Sequence, residues 1–124
     1  SLKSRDFLLL HIEAPDEAGH MGRADLKKEA IERIDELIIG PMLEGLRALG
    51  DFTILLMPDH ATPSQLKTHS PEAVPFALMT AAEFASGGRK SRRYTEADGN
   101  ATGVVVGDGY HLIESLFGSE LART

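Results

Sequence analysis

The sequence predicts an α/β fold built on a mostly parallel sheet. Two short apolar runs, Phe7–Ile12 and Phe52–Met57, flank a long segment in which apolar residues recur at helical spacing. Near-continuous apolar runs suit strands covered on both faces. A strand, helix, strand order is normally a right-handed crossover between parallel strands. The loops after the two runs hold acidic and imidazole residues, at the carboxyl ends of strands, where open α/β sheets place their ligands.

Each element follows from its residues. Phe7-Leu8-Leu9-Leu10-His11-Ile12 is the first expected strand, with His11 as a hydrogen-bonded core histidine or a support for a ligand. Glu13 to Arg23 reads as a polar loop. From Ala24 the residues Leu26, Ala30, Ile31, Ile34, Leu37 and Ile38 repeat at helical spacing, with charged residues between them. Gly40-Pro41 should kink or divide this helix, because proline has no N–H and crowds the preceding turn. Met42, Leu43, Leu46 and Leu49 carry the stripe on to Gly50. The second strand is stopped by Pro58. A third, within Val74–Met79, is expected at an edge or beginning after Pro75. Ser86 to Arg93 is a Gly- and Arg-rich loop, Thr95 caps a short turn or helix, Gly103-Val104-Val105-Val106-Gly107 is a short extended piece, and Asp108 caps a terminal helix carrying Tyr110, Leu112, Ile113, Leu116 and Phe117.

With 124 residues and 42% hydrophobic content, the chain can bury a core as one domain or part of one. Its net charge of −6 and pI near 5.3 argue against nucleic acid as a partner. There is no cysteine, hence no disulfide framework and no thiolate zinc site. No apolar run has the length of a membrane span and the N-terminal residues lack signal-peptide order, so a cytoplasmic protein is expected.

The chemistry sits in five residues: Asp16 and His20 in P-D-E-A-G-H, Asp59 and His60 in M-P-D-H-A-T-P, and His69 in T-H-S-P. Oxygen and imidazole donors suit Mn²⁺, Zn²⁺ or Co²⁺. Asp16 and His20 share a face if their segment is helical and can still converge if it is a loop. Asp59 and His60, adjacent on an extended segment, would point to opposite sides and could serve two ions. Two-metal sites hold their ions about 3.5–4 Å apart and clamp a transferring phosphoryl group. Each residue taken alone has a commoner explanation, since a single Asp before a turn is usually a cap and a single loop His is usually solvated. Their recurrence in three loops gives the set its weight. His111 reads as a surface or packing residue. Arg89-Lys90-Ser91-Arg92-Arg93 reads as a solvated loop in preference to a phosphate site, and Gly87-Gly88 lacks the spacing of a P-loop.

The strings H-I-E-A-P-D-E-A-G-H-M-G, L-L-M-P-D-H-A-T-P, K-T-H-S-P-E-A-V-P-F and D-G-Y-x-L-I-E-S-L-F, in this order, resemble the cofactor-independent phosphoglycerate mutases, most closely the branch typical of archaea and some bacteria. That family lies within the alkaline phosphatase superfamily of metalloenzymes. The resemblance implies a three-layer α/β/α domain and two divalent ions, manganese or zinc in preference to cobalt or magnesium. Asp16, His20 and His69 would hold one ion, while Asp59 and His60 would contribute to the other. It also implies a phosphoserine intermediate in the exchange of 3- and 2-phosphoglycerate. The family's nucleophilic serine, an N-terminal aspartate ligand and an inserted lid domain have no counterpart here. Residues 1–124 are therefore expected to form the C-terminal part of the phosphatase-like domain. On this reading the parent is an isomerase acting on phosphoglycerate, and the chain alone is inactive, with no catalytic residue assigned and a tendency to self-associate through an exposed sheet edge. The alternatives are a phosphohydrolase of the same superfamily and a stand-alone, non-catalytic interaction module.

Overall fold

The computed structural model describes residues 2, 4–87 and 93–117. Residues 88–92, most of the basic stretch, lie outside the described residues. The chain forms two compact units.

The first unit comprises residues 1–50 and 60–72. It contains helix α1 (Ala14–His20), helix α2 (Ala24–Ile34), a π-helical segment (Asp35–Ile39) and helix α3 (Gly40–Leu49). The last three run on without a break, and the expected disturbance at Gly40-Pro41 takes the form of the π segment. Pro41 has no N–H to offer Leu37, and its ring crowds that carbonyl. Widening the turn to five-residue bonds relieves the conflict, and the Gly40 N–H bonds the Asp35 carbonyl. Gly50 ends the helix with φ 108°, a left-handed value that glycine adopts without a Cβ penalty.

The expected loop from Glu13 to Arg23 is instead mostly helical. Pro15 occupies the first turn, where its missing N–H is no loss and its fixed φ favours helix. At the other end Gly22, at φ 70°, forms a Schellman stop, in which its N–H bonds the Gly19 carbonyl and the Arg23 N–H bonds that of Ala18.

Phe7–Ile12, expected as the first parallel strand, lies in no strand, and Leu8, Leu9 and Leu10 are exposed. A strand exists only through a partner's backbone bonds, and none of the described ladders includes this run. His11 is likewise on the surface, near Glu13, and not in a core.

The second unit, residues 51–59 and 73–124, holds the sheet. Strands β1 (Thr53–Leu56) and β2 (Ala77–Thr80) pair antiparallel, with Thr53 opposite Thr80 and Leu56 opposite Ala77. Among the described residues this two-stranded sheet replaces the expected mostly parallel one: both expected segments are strands, β2 begins after Pro75 as the proline requires, but they run in opposite directions. Helix α4 (Ala81–Ala85) follows β2 directly through a capping box, in which Thr80 Oγ1 accepts from the Glu83 N–H and Glu83 Oε2 accepts from the Thr80 N–H. Thr95 caps α5 (Glu96–Asn100) by accepting the Asp98 N–H, as expected. The terminal helix, Gly109–Phe117, is a 3₁₀ helix whose first bond runs from the His111 N–H to the Asp108 carbonyl. Val104–Val106 lies in no strand.

The expected core is small. Ala18 and Leu46 are the buried apolar side chains described in the first unit and Leu112 the one in the second, and no side chain among the described residues is fully enclosed. An apolar face is buried only when a second layer covers it, and within each unit the described elements cover few of their own faces.

Candidate metal centre

Three of the five expected ligands meet in the first unit. Helix α1 supplies Asp16 and His20, four residues apart and therefore on one face. Asp16 lies in the first turn and His20 in the last, each at the end of the helix dipole that favours its charge.

The loop 60–72 supplies the third. Its ends are drawn together by a bridge between Ala61 and Ser70, with the Ser70 N–H bonding the Ala61 carbonyl at 3.0 Å. Inside the loop, the N–H groups of Leu66 and Lys67 both bond the Pro63 carbonyl, closing one helical turn that Lys67 ends at φ 54°. That left-handed conformation is costly for a residue with a Cβ. The Lys67 carbonyl accepts from His20 Nδ1 at 3.0 Å. A carbonyl cannot donate, so neutral His20 carries its proton on Nδ1 and its lone pair on Nε2. The Nε2 atom faces the site.

Around that lone pair the donor atoms form a triangle. His20 Nε2 is 3.1 Å from His69 Nε2 and 3.4 Å from Asp16 Oδ2, and His69 Nε2 is 3.6 Å from Asp16 Oδ1. Ligands about 2.0–2.1 Å from a tetrahedral zinc stand about 3.3–3.4 Å from one another. The two edges that meet at His20 Nε2, 3.1 Å to His69 Nε2 and 3.4 Å to Asp16 Oδ2, bracket that spacing, so the residues fit a divalent ion with an open position. The site is accessible from solvent: the Asp16, His20 and His69 side chains are 36%, 42% and 53% exposed.

Asp16 is prepared as an anion. Its carboxyl is held below the usual carboxylate value chiefly by the Thr62 hydroxyl, which donates to Oδ1 at 2.6 Å; burial opposes this, and His20, His69 and His60 add smaller lowering contributions. Thr62 itself is buried and accepts from His60 Nδ1 at 3.1 Å. The His60 ring lies over that of His69, with centroids 3.7 Å apart. His60 thus adjoins the triangle through Thr62 and ring contact without being one of its vertices.

Asp59 is exposed and belongs to the second unit, and the triad of potential ligands does not include it. The chain bends at Asp59-His60, so the alternation assumed for an extended segment does not apply. His111, expected on the surface, is exposed beside Glu114. Three contributors were not anticipated: Thr62, Lys67 through its carbonyl, and Gly19, whose bare Cα lets α1 lie against Thr62. A Cβ on Gly19 would stand 2.7 Å from the Thr62 carbonyl oxygen.

A family model described as the metalloenzyme superfamily matches residues 1–100. The chain belongs to the metalloenzyme superfamily. It is 40% identical over 116 residues to a probable 2,3-bisphosphoglycerate-independent phosphoglycerate mutase of Geobacter sulfurreducens, a match covering 94% of this chain and 29% of that protein. It is 51% identical over 79 residues to the 2,3-bisphosphoglycerate-independent phosphoglycerate mutase of Methanothrix thermoacetophila, and 48% identical over 79 residues to that of Methanosarcina acetivorans. Each of these matches covers 63% of this chain and 20% of the relative. The chain thus spans less than a third of these relatives, and the matched stretch is a partial, C-terminal region of them. No solved structure matches it. No helix of the described residues is long and apolar enough to cross a membrane.

Proposed function

We propose that this chain is the metal-binding C-terminal part of a cytoplasmic, cofactor-independent phosphoglycerate mutase, which interconverts 3- and 2-phosphoglycerate in glycolysis and gluconeogenesis. The observation that carries the reading is the Asp16–His20–His69 triangle, formed by the P-D-E-A-G-H segment that carries the resemblance to the mutases. Asp16, His20 and His69 would hold one divalent ion, and Asp59 and His60 would contribute to a second. Manganese or zinc is the preferred identity. Ions bound there supply Lewis-acid charge neutralisation to a transferring phosphoryl group.

The chain's own residues hold and orient. Lys67 and Thr62 fix the direction of His20 and Asp16, and the exposed rim leaves room for substrate. No serine of the chain stands in the context of the family's nucleophile, so the phosphoserine step belongs to a part of the parent not seen here. In the complete domain, Phe7–Ile12 would be a strand of a mostly parallel sheet in a three-layer α/β/α arrangement, which accounts for an apolar run exposed in the chain alone.

Two assays test the proposal. The product of the complete open reading frame, supplied with Mn²⁺, should isomerise 3-phosphoglycerate and hydrolyse a generic phosphomonoester only slowly. The opposite preference would replace the mutase by a phosphohydrolase, a reading that the superfamily-wide family model accommodates equally. The chain alone should show no isomerisation above an Asp59→Ala control. Activity in the chain alone would refute the assignment of the nucleophile to a missing part.

A further inference from the structure

We propose that Thr62 is a positioning residue whose single hydroxyl fixes two candidate ligands at once, the carboxylate of Asp16 and the ring tautomer of His60. The proposal rests on reading the Asp16 triangle as a metal centre, and its test separates the two.

A threonine hydroxyl has one proton to give and lone pairs to accept with. Thr62 Oγ1 stands 2.6 Å from Asp16 Oδ1 and 3.1 Å from His60 Nδ1. An ionised carboxylate only accepts, so the hydroxyl proton goes to Asp16. Oγ1 must then accept from His60, which places the His60 proton on Nδ1 and the lone pair on Nε2. The direction of the whole chain of bonds, His60 to Thr62 to Asp16, is set by the charge at its far end. It joins two parts of the unit that are 46 positions apart in sequence. It also spends Oδ1 on the hydroxyl and leaves Oδ2, the oxygen nearer His20 Nε2, for a metal.

Thr62 is unusually well placed to be rigid. It is 4% exposed, the lowest value of any described polar residue. Its carbonyl accepts from Lys27 Nζ of α2 at 2.6 Å. Its methyl and carbonyl lie where a Cβ on Gly19 would be 2.9 and 2.7 Å away, so α1 fits against it with no room to spare. A side chain held on both sides cannot turn its hydroxyl elsewhere without moving a helix. Partners of this kind typically contribute 10–100-fold to metal affinity although they never touch the ion.

The test compares the wild-type chain with Thr62→Val, which keeps the shape and removes the hydroxyl, and Thr62→Ser, which keeps the hydroxyl. Nitrogen-15 NMR of the metal-free chain, labelled at the histidine rings and held at about pH 8 so that imidazoles are neutral, should show His60 protonated on Nδ1 in wild type and Thr62→Ser. Thr62→Val should shift it towards the Nε2–H form. Calorimetric titration with Zn²⁺ should find Thr62→Val weaker by about 10–100-fold and Thr62→Ser close to wild type, a rescue that a merely structural role of the loop would not produce. A wild-type His60 carrying its proton on Nε2 overturns the proposal by itself, even if Thr62→Val does not fold. So does a Thr62→Val chain with unchanged tautomer and unchanged zinc affinity, which would leave the metal centre standing. If the wild type binds no zinc but the tautomer switches as described, the metal reading falls and the Thr62 clamp stands.

Discussion

Replacing Gly19 by alanine should destabilise the protein, although the same replacement in an unencumbered helix is favourable. Alanine in place of a helical glycine ordinarily gains about 0.5–1 kcal/mol, since glycine loses more backbone freedom on folding. Gly45, inside α3, is the internal control: a Cβ there meets nothing within 4 Å, so Gly45→Ala should realise that gain. At Gly19 the new Cβ would stand 2.7 Å from the Thr62 carbonyl oxygen and 2.9 Å from its methyl carbon, about 0.7 Å inside ordinary contact at the closer atom. The obstacle is backbone already engaged by Lys27 Nζ, so it cannot swing aside as a flexible side chain would. Overpacking of this kind costs about 1–3 kcal/mol. Retreat by the same distance would take the 2.6 Å bond from Thr62 to Asp16 out of hydrogen-bond range, losing about 1 kcal/mol more. Offset by the helical gain, the net loss for Gly19→Ala is about 1–3.5 kcal/mol, so the two variants should differ by about 2–4 kcal/mol. Urea denaturation followed by far-ultraviolet circular dichroism measures both. If Gly19→Ala stabilises the chain as much as Gly45→Ala, the tight approach of α1 to Thr62 is wrong.

Removing one vertex of the triangle by His20→Ala should weaken Zn²⁺ or Mn²⁺ binding by at least about tenfold, since two protein ligands rarely hold an ion; equal affinity in calorimetry would discard the site. Binding by the wild type should weaken as pH falls from neutral into the acid range, because imidazoles must be deprotonated to coordinate an ion. Asp16, whose carboxyl is depressed below 3.8 chiefly by the Thr62 hydrogen bond, stays ionised through that window, and its own contribution to stability is lost only as pH falls through the depressed value; a midpoint near the carboxylate range would contradict this. Tyr94 has its phenol pushed up to about 12, mainly by burial and secondarily by Glu96, and its O–H donates to the Pro75 carbonyl at 3.0 Å. A raised phenol stabilises the fold below the ordinary value near 10 and loses that contribution as pH rises towards 12, so tyrosinate absorbance should show a late phase that Tyr94→Phe removes. The exposed Leu8, Leu9 and Leu10, with the edges of β1 and β2, should drive the chain to dimerise or aggregate; a stable monomer in sedimentation at high concentration would overturn that expectation.

What the sequence disclosed was mostly local. The long helix was legible because its stripe repeats within a few residues, and Thr95 and the prolines at 58 and 75 act on their immediate neighbours. Helix α1 was hidden by the same kind of signal misread: Pro15, Gly19 and Gly22 look like loop residues, but a proline in the first turn and a glycine just past the last are also how a helix begins and ends. Helix α4 announced itself in Thr80-Ala-Ala-Glu83, a capping box that an apolar scan passes over. Strand direction was not legible at all, because the pattern of Phe52–Met57 states that a strand is buried and not which neighbour will lie beside it. The site divides in the same way. Asp16, His20 and His69 were marked by residue type, whereas Thr62 and Lys67 act through a hydroxyl and a carbonyl that any sequence contains in abundance. Only the approach of α1 to the 60–72 loop gives those atoms their partners.

The π-helical segment also keeps the long helix in phase. Among its sheltered positions Leu26, Ala30, Ile34, Ile38, Met42 and Leu46 recur every four residues, with Lys27, Ile39 and Leu43 sheltered beside them. An α-helix completes a turn in 3.6, so a four-residue count drifts about 40° per step, and a regular helix would carry Leu46 round to the opposite side from Leu26. The five-residue bonds between Asp35 and Gly40 wind more slowly and take back part of that drift. In this sense Pro41 is a timing mark: the constraint it places on Leu37 obliges the backbone to lose a fraction of a turn where the stripe needs it lost. Deleting one residue between 35 and 39 would reset the clock, rotating everything beyond by about 100° and turning Leu46 away from the side that now shelters it.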